Sequence, residues 1–218
     1  VQPLGSAALL RALTGDDHAA RQSSSGILSD GKHRESLPVL IALYEDAKTP
    51  PGVRLRAAVS LAAHGDKRGE HFFTRAIEPN PKNWKEDGLT FDDRRYAIWR
   101  TRDFFGDEAL PRLRKILESP LCMFSDEAAG AMAGFGERAV PVLIEVVRGK
   151  ATVLARHSAI RTLESMEASA AVPALLKAAR DPEKLVANAA IAAVAKLRTP
   201  EGWRGLGLLL EEGGPCDA

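Results

Sequence analysis

The fold is decided by the stretch VRLRAAVSLAAHGD, residues 53–66. Small or apolar residues follow Arg54 at three, four and seven places, which puts them on one face of an α-helix. Gly65 then closes the segment. The same frame recurs after Arg21 and Arg156, so this helix is one copy of a repeated unit.

A second pattern alternates with the first and places a proline behind an apolar residue, as in ERAVPVLIEVVRG, residues 137–149. Proline is tolerated in the first turn of a helix, where its missing N–H has no partner to lose. Pro111, Pro141 and Pro173 mark three copies about 30 residues apart. A period near 30 that contains two short helices is typical of a helical-hairpin solenoid.

The predicted fold is therefore all-α, a right-handed α-α superhelix of about six helical hairpins with a C-terminal capping helix. Since short helices are marginal in water, stability must come from stacking one hairpin on the next. We expect a single repeat domain over residues 7–212. The predicted helices cover residues 6–14, 16–29, 35–46, 52–64, 68–77, 92–105, 107–118, 124–135, 137–148, 151–166, 168–180, 183–198 and 201–212.

Paired as hairpins, these two patterns resemble the HEAT-like repeats named after phycobilin lyases, the PBS-lyase type. The resemblance extends over residues 7–212 and implies an all-α HEAT-like solenoid, a fold used by scaffolds, lyase subunits and hydroxylases alike. It also implies a structural role for the recurrent arginines, which bond loop carbonyls or an acidic residue of the next repeat. The alternative is a ladder that contacts an extended acidic partner. These arginines are Arg21, Arg54, Arg95 and Arg156.

Composition excludes several function classes. The formal net charge is +1, which argues against a nucleic-acid partner because phosphate binding needs a basic surplus. No apolar run approaches the length of a membrane span. We predict no metal and no cofactor, since no histidine precedes a glutamate and no zinc-ligand spacing occurs. Cys122 and Cys216 are expected to be a partly buried thiol and a tail thiol.

No function is predicted for the residues at either end of the chain. Residues 1–6 are interpreted as a cloning remnant or linker, and residues 213–218 as a tail. The first residue is Val1, so we expect that a segment upstream was removed. A cytoplasmic location is predicted, with export and loss of a signal before Val1 as the alternative.

An insertion interrupts the third hairpin at residues 78–91. Solenoid insertions often carry binding residues. Trp84 stands in a polar, proline-containing context there and is a candidate contact residue. The alternative is that Trp84 folds back over the adjacent helix ends.

The second helix of this hairpin supplies the other candidate binding residues. Tyr96 and Trp99 lie three residues apart and Asp103 follows Trp99 by four, so they are neighbours on the helix surface. Interleaved arginines could form a site for an anion or an acidic peptide. The alternative is a solvated, charged face above a core aromatic residue. The candidates on this helix are Arg95, Tyr96, Trp99, Arg102 and Asp103.

No catalytic motif is recognised, so no catalytic residue is assigned. The function predicted from the sequence is a non-enzymatic scaffold that binds a protein or extended peptide on its concave surface. One alternative is an enzyme of the HEAT-like alkylpurine DNA glycosylase type, for which Trp99 and Asp103 are the starting point. The other is a bilin lyase-like subunit or chaperone.

Overall fold

The computed structural model describes residues 4–28, 33–79, 86–121 and 123–211. In these ranges the chain forms α-helices and short 3-10 turns and no β-strand. It divides into two compact units, residues 1–109 and 110–218. The helices are α1 (Leu4–Thr14), α2 (His18–Leu28), α3 (Leu37–Glu45), α4 (Pro51–Ala63), α5 (Glu70–Ile77), α6 (Phe91–Trp99), α7 (Thr101–Phe105), α8 (Ala109–Leu117), α9 (Ser125–Ala133), α10 (Ala139–Arg148), α11 (Val153–Ser165), α12 (Val172–Ala178), α13 (Lys184–Leu197) and α14 (Pro200–Glu211).

The predicted fold class, an all-α HEAT-like repeat fold, is confirmed, and each predicted helix has a counterpart. One prediction is corrected, because the helix expected over residues 92–105 is two helices that meet at Arg100. The backbone N–H of Arg100 is shared between the carbonyls of Tyr96 and Ala97. The hydroxyl of Thr101 also donates to the Ala97 carbonyl at 3.1 Å. This competition for helical acceptors accompanies the end of α6 at Trp99.

In the first unit, α4 is the central helix. Helix α3 forms a hairpin with α4, and α2, α6 and α7 also pack on it. Ala57 and Leu61 of α4 lie in a core cluster with Leu13, Leu28 and Leu40. Alanines let neighbouring segments approach closely, and a Cβ on Gly69 would lie only 2.5 Å from that of Ala58.

Aromatic residues fill the core of the third hairpin. The rings of Phe73 and Phe104 stack with centroids 4.1 Å apart, and Phe105 meets Phe73 edge-on at 5.9 Å. These contacts fix the short helix α7 against α5. Helix α7 follows directly after α6, on which several candidate site residues lie.

In the second unit, the second helices α9, α11 and α13 pack on one another in succession. The first helices α10 and α12 are also in contact, and α14 packs on α12 and α13 as expected for a last helix. None of the described helices is long and apolar enough to span a membrane. The single domain expected over residues 7–212 and the cytoplasmic location remain predictions.

Positive φ angles recur where a second helix gives way to the next hairpin. Gly65, Gly106 and Gly136 adopt positive φ angles of 86°, 53° and 57°. The last two copies instead place Glu167 and Arg198 in this left-handed region, at 52° and 51°. Because an L side chain is strained there, these two positions carry a local energetic cost.

Candidate functional site

An open cleft of about 480 Å³ lies over the second helices of the first unit. Helix α2 contributes one wall through Gly26, α4 contributes the floor through Arg56, and α6 with the residue after it contributes the other wall. The α6 wall consists of Asp92, Arg95, Tyr96, Trp99 and Arg100.

Arg56 is the buried cation of the cleft, with only 1% of its surface exposed. Its Nη1 donates to Asp93 Oδ1 at 2.6 Å and to the Gly52 carbonyl at 2.9 Å. Its guanidinium group also lies 4.8 Å from the centre of the Tyr96 ring, within cation–π range. Its Nε is buried and has no hydrogen-bond partner among the described residues.

Asp93 links this cation to the start of α6. Its backbone N–H donates to Thr90 Oγ1 at 3.1 Å, and its Oδ2 accepts from the Thr90 backbone N–H and hydroxyl. This capping box satisfies two helix-terminal donors and fixes where α6 begins. Burial raises the pKa of the Asp93 carboxyl, but the hydrogen bonds from Arg56 and Thr90 outweigh it and hold that pKa below its ordinary value.

Tyr96 forms the apolar part of the α6 wall of the cleft. Its ring is buried, and its hydroxyl lies 2.5 Å from that of Ser25 on α2. Burial raises the pKa of Tyr96 above its ordinary value, although the hydrogen bond with Ser25 opposes this. Tyr96 is therefore a neutral side chain that ties α6 to α2.

The rim of the cleft combines an exposed ring with charged groups. Trp99 is 52% exposed, and Arg95 lies 3.6 Å from Asp92 in an exposed ion pair. Arg100 Nε lies 2.6 Å from Asp103 Oδ2, but this charge contact lacks the alignment of a hydrogen bond, and the nitrogen is buried without a hydrogen-bond partner in the described part of the chain. Burial raises the pKa of Asp103, and the charge of Arg100 opposes that rise.

The structure brings some of the predicted site residues together and not others. Arg95, Tyr96 and Trp99 line the cleft, Asp103 stands behind Arg100, and Arg102 is exposed outside the lining. Trp84 lies outside the described residues, as do Cys122 and Cys216. The sequence missed Arg56 and Arg100. Arg56 could have been noticed in the sequence, because it is a second arginine two places after Arg54 within the most apolar repeat.

Three of the four recurrent arginines contact the residues that the resemblance implied. Arg21 and Arg54 donate to the carbonyls of Gly15 and Tyr44 at 2.8 and 3.1 Å. Arg156 pairs with Asp181 of the following hairpin.

The third hairpin departs from this assignment by one residue. There Arg94 takes the structural role, donating to the Ala76 carbonyl at 3.1 Å and to both oxygens of Asp87 at 2.7 and 2.8 Å. Arg95, to which the sequence pattern gave that role, lines the cleft instead.

No group of three or more His, Cys, Asp and Glu side chains in the described ranges is placed to hold a metal ion. The donors of the cleft are guanidinium groups, which do not bind cations. The arrangement instead suits acceptor atoms on an anion, because guanidinium N–H groups match carboxylate and phosphate oxygens in pairs.

Comparison with known proteins identifies the class. Residues 140–210 match the model of the HEAT-repeat family. Residues 140–210 are therefore similar to HEAT repeats, and the resemblance found in the sequence is confirmed.

Among solved structures, human deoxyhypusine hydroxylase in complex with glycerol is similar at 18% identity and a TM-score of 0.41, over 90% of this chain and 85% of that chain. No curated protein sequence matches the chain.

The prediction of a non-enzymatic scaffold is wrong on this comparison, because the similar solved structure is that of an enzyme, a hydroxylase. That prediction took the lack of a recognised catalytic motif in a repeat fold as a sign of no catalysis. A fold does not decide this question, since activity depends on the residues of a site. The likeness itself assigns no reaction and no site residue to this chain.

Proposed function

We propose that the cleft of the first unit binds an anionic ligand that also carries a flat ring. The observation that supports this most directly is that three arginines, Arg56, Arg95 and Arg100, line one cavity together with the exposed ring of Trp99. Guanidinium groups bind carboxylate and phosphate oxygens, and an exposed ring can stack on a planar group.

The guanidinium donors of the lining favour an anion. Arg56, Arg95 and Arg100 line the cleft, and each also lies beside an aspartate, so this preference depends on the paired N–H geometry of guanidinium groups and not on net charge. Arg56 is also fixed by its bonds to Asp93 and Gly52, so little conformational entropy is lost when it accepts a ligand. Pre-ordered donors of this kind bind carboxylate and phosphate groups more strongly than mobile surface lysines do.

The shape of the cleft favours a ligand with a ring. Its volume of about 480 Å³ falls within the range typical of small-molecule sites. The exposed indole of Trp99 stands at the rim, where a planar group can stack on it.

Adenosine 5′-monophosphate is a suitable probe, because it joins a phosphate to a flat base. Adenosine, which has only the base, and inorganic phosphate, which has only the anion, are the comparison ligands. In calorimetric titration, the wild type should bind adenosine 5′-monophosphate with higher affinity than it binds phosphate alone or adenosine alone. Trp99→Ala should weaken adenosine 5′-monophosphate binding about tenfold, which corresponds to the loss of one base stack.

The chain offers matched controls for this experiment. Trp203 and Arg204 lie on α14 in the second unit, and Trp203 is 57% exposed, close to the value for Trp99. Trp203→Ala and Arg204→Gln should leave binding unchanged, whereas Trp99→Ala and Arg95→Gln should weaken it. The proposal fails if the wild type binds none of the three probes, or if the α14 variants lose as much affinity as the cleft variants.

A further inference from the structure

Three exposed apolar side chains occupy the same repeat position in the second unit. They are Met123, two residues before α9, Leu154 at the start of α11 and Leu185 at the start of α13, each 31 residues from the next. Their exposed fractions are 63%, 59% and 47%. Because α9, α11 and α13 pack on one another in succession, equivalent residues lie in a row with steps of about 10 Å. These three residues are called the apolar row below.

The fold does not require an apolar side chain at this repeat position. In the first unit the same position lies two places before Arg21 and Arg54, and it holds Ala19 and Gly52. Neither residue projects a large apolar group. Since the stabilisation of a side chain scales with the apolar area it removes from water, a leucine that is mostly exposed contributes little to its own hairpin. Repeat stability therefore does not account for the apolar row.

Exposed cations flank the apolar row. Lys150 lies in the loop before α11, and Lys184 is the first residue of α13. Arg148 and Lys177 lie in the last turns of α10 and α12, the helices that precede these two. All four side chains are exposed, and none of them has an ion-pair partner in the described part of the chain.

Acidic residues on this side of the unit offset only part of that charge. Glu118 and Glu145 share Arg114, which leaves one negative charge, and Glu183, without an ion-pair partner in the described ranges, adds a second. The four cations exceed these two charges by two. Arg180 is not counted, because it has contacts of its own. Helix dipoles do not explain the surplus, since first helices end and second helices begin here, and their opposite partial charges roughly cancel.

We propose that this side of the second unit docks on the surface of a membrane that contains anionic lipids. Separate apolar side chains in a row insert one by one at the boundary between lipid headgroups and acyl chains. A protein partner instead needs a contiguous apolar patch with a well-packed centre. The flanking cations bind the anionic headgroups. The proposal is independent of the cleft in the first unit.

Flotation of the full chain with lipid vesicles tests the proposal. The protein should bind vesicles made of equal parts phosphatidylserine and phosphatidylcholine, and should bind vesicles of phosphatidylcholine alone far more weakly. Leu154→Ser and Leu185→Ser should each weaken binding about tenfold, because one leucine side chain is no longer removed from water. Lys150→Gln and Lys177→Gln should each weaken it about fivefold, the effect of one cation near an anionic surface.

The second unit offers matched controls away from the apolar row. Arg198→Gln removes an exposed cation that follows the last residue of α13, at the opposite end from Lys184. Trp203→Ser removes an exposed ring near the start of α14. Both variants should bind vesicles as the wild type does. In Leu154→Trp, the added indole should be quenched by lipids with brominated acyl chains, beyond any quenching seen in the wild type.

Four results would overturn the proposal. The first is no vesicle binding by the wild type. The second is wild-type affinity in both leucine variants together with no added quenching in Leu154→Trp, which would indicate charge attraction without insertion. The third is an equal loss in Arg198→Gln. The fourth is a wild type that ignores vesicles but forms a dimer that Leu154→Ser dissociates, which would assign the apolar row to a second copy of the chain.

Discussion

Removal of the Asp93 charge should destabilise the first unit far more than removal of an exposed carboxylate. Asp93 and Arg56 are 7% and 1% exposed, and their charged atoms lie 2.6 Å apart. Breaking a buried ion pair by removing one partner costs about 3–5 kcal/mol, because the other charge is left without compensation. Asp93→Asn keeps the size and the helix cap, so we expect a loss near the lower end, about 3 kcal/mol.

Urea unfolding followed by circular dichroism measures this loss as a shift in midpoint at constant slope. The matched control is Glu45→Gln, which neutralises a carboxylate that pairs with Arg68 but is 60% exposed. Exposed pairs contribute little, so its midpoint should hardly move. The reasoning is refuted if Asp93→Asn loses no more stability than Glu45→Gln does.

The same pair predicts a pH dependence. A carboxyl whose pKa is lowered by folding stabilises the protein above its unfolded pKa, about 3.9, and this contribution disappears as pH falls toward the folded value. The stability difference between wild type and Asp93→Asn should therefore be constant near neutral pH and close in acid. A difference that persists undiminished at acidic pH would show that charge is not its cause.

Three further substitutions have expected outcomes. Glu167→Gly should raise the free energy of unfolding by about 1 kcal/mol by relieving left-handed strain, which thermal melts can check, whereas no gain would show that the conformation is unstrained. Gly52→Ala should cost about 1–3 kcal/mol, because its Cβ would lie 2.7 Å from Asp93 Oδ1; Gly207→Ala on α14, with nothing within 4 Å, is the matched control and should be neutral or stabilising. Asp103→Asn should tighten adenosine 5′-monophosphate binding severalfold by removing a negative charge beside the cleft. Folding raises the pKa of Asp103, so the wild type should lose stability as the pH rises above about 4. Asp103→Asn should not show this loss. Thermal melts that depend on pH in the same way for both proteins would contradict this.

The helical repeats could be predicted from the sequence because their signals are local. Apolar spacing and the positions of prolines and glycines depend on residues within one hairpin, and these determined each helix except the one expected over residues 92–105 to within a few residues. The break at Arg100 could not be read in this way. It depends on a competition between backbone and side-chain donors for the carbonyl of Ala97, which the spacing of apolar residues does not encode.

The candidate site was only partly predictable because its main contacts are long-range. Arg56 reaches Asp93, 37 residues away, and a helical pattern alone places that arginine toward solvent. The choice between Arg94 and Arg95 depends on where α6 begins, which the Thr90 capping box sets after an insertion that breaks the repeat register. Trp99 could be named as a candidate because its spacing to Tyr96 and Asp103 along one helix surface is a local signal.

The most direct test of the cleft is the nitrogen–proton NMR spectrum of the three tryptophan indoles during titration with adenosine 5′-monophosphate. Trp99→Phe and Trp203→Phe variants assign the signals. If the ligand stacks at the cleft rim, the Trp99 signal should shift in a saturable way while that of Trp203 stays in place. A Trp99 signal that does not move at saturating ligand, or one that moves in step with Trp203, would contradict the account.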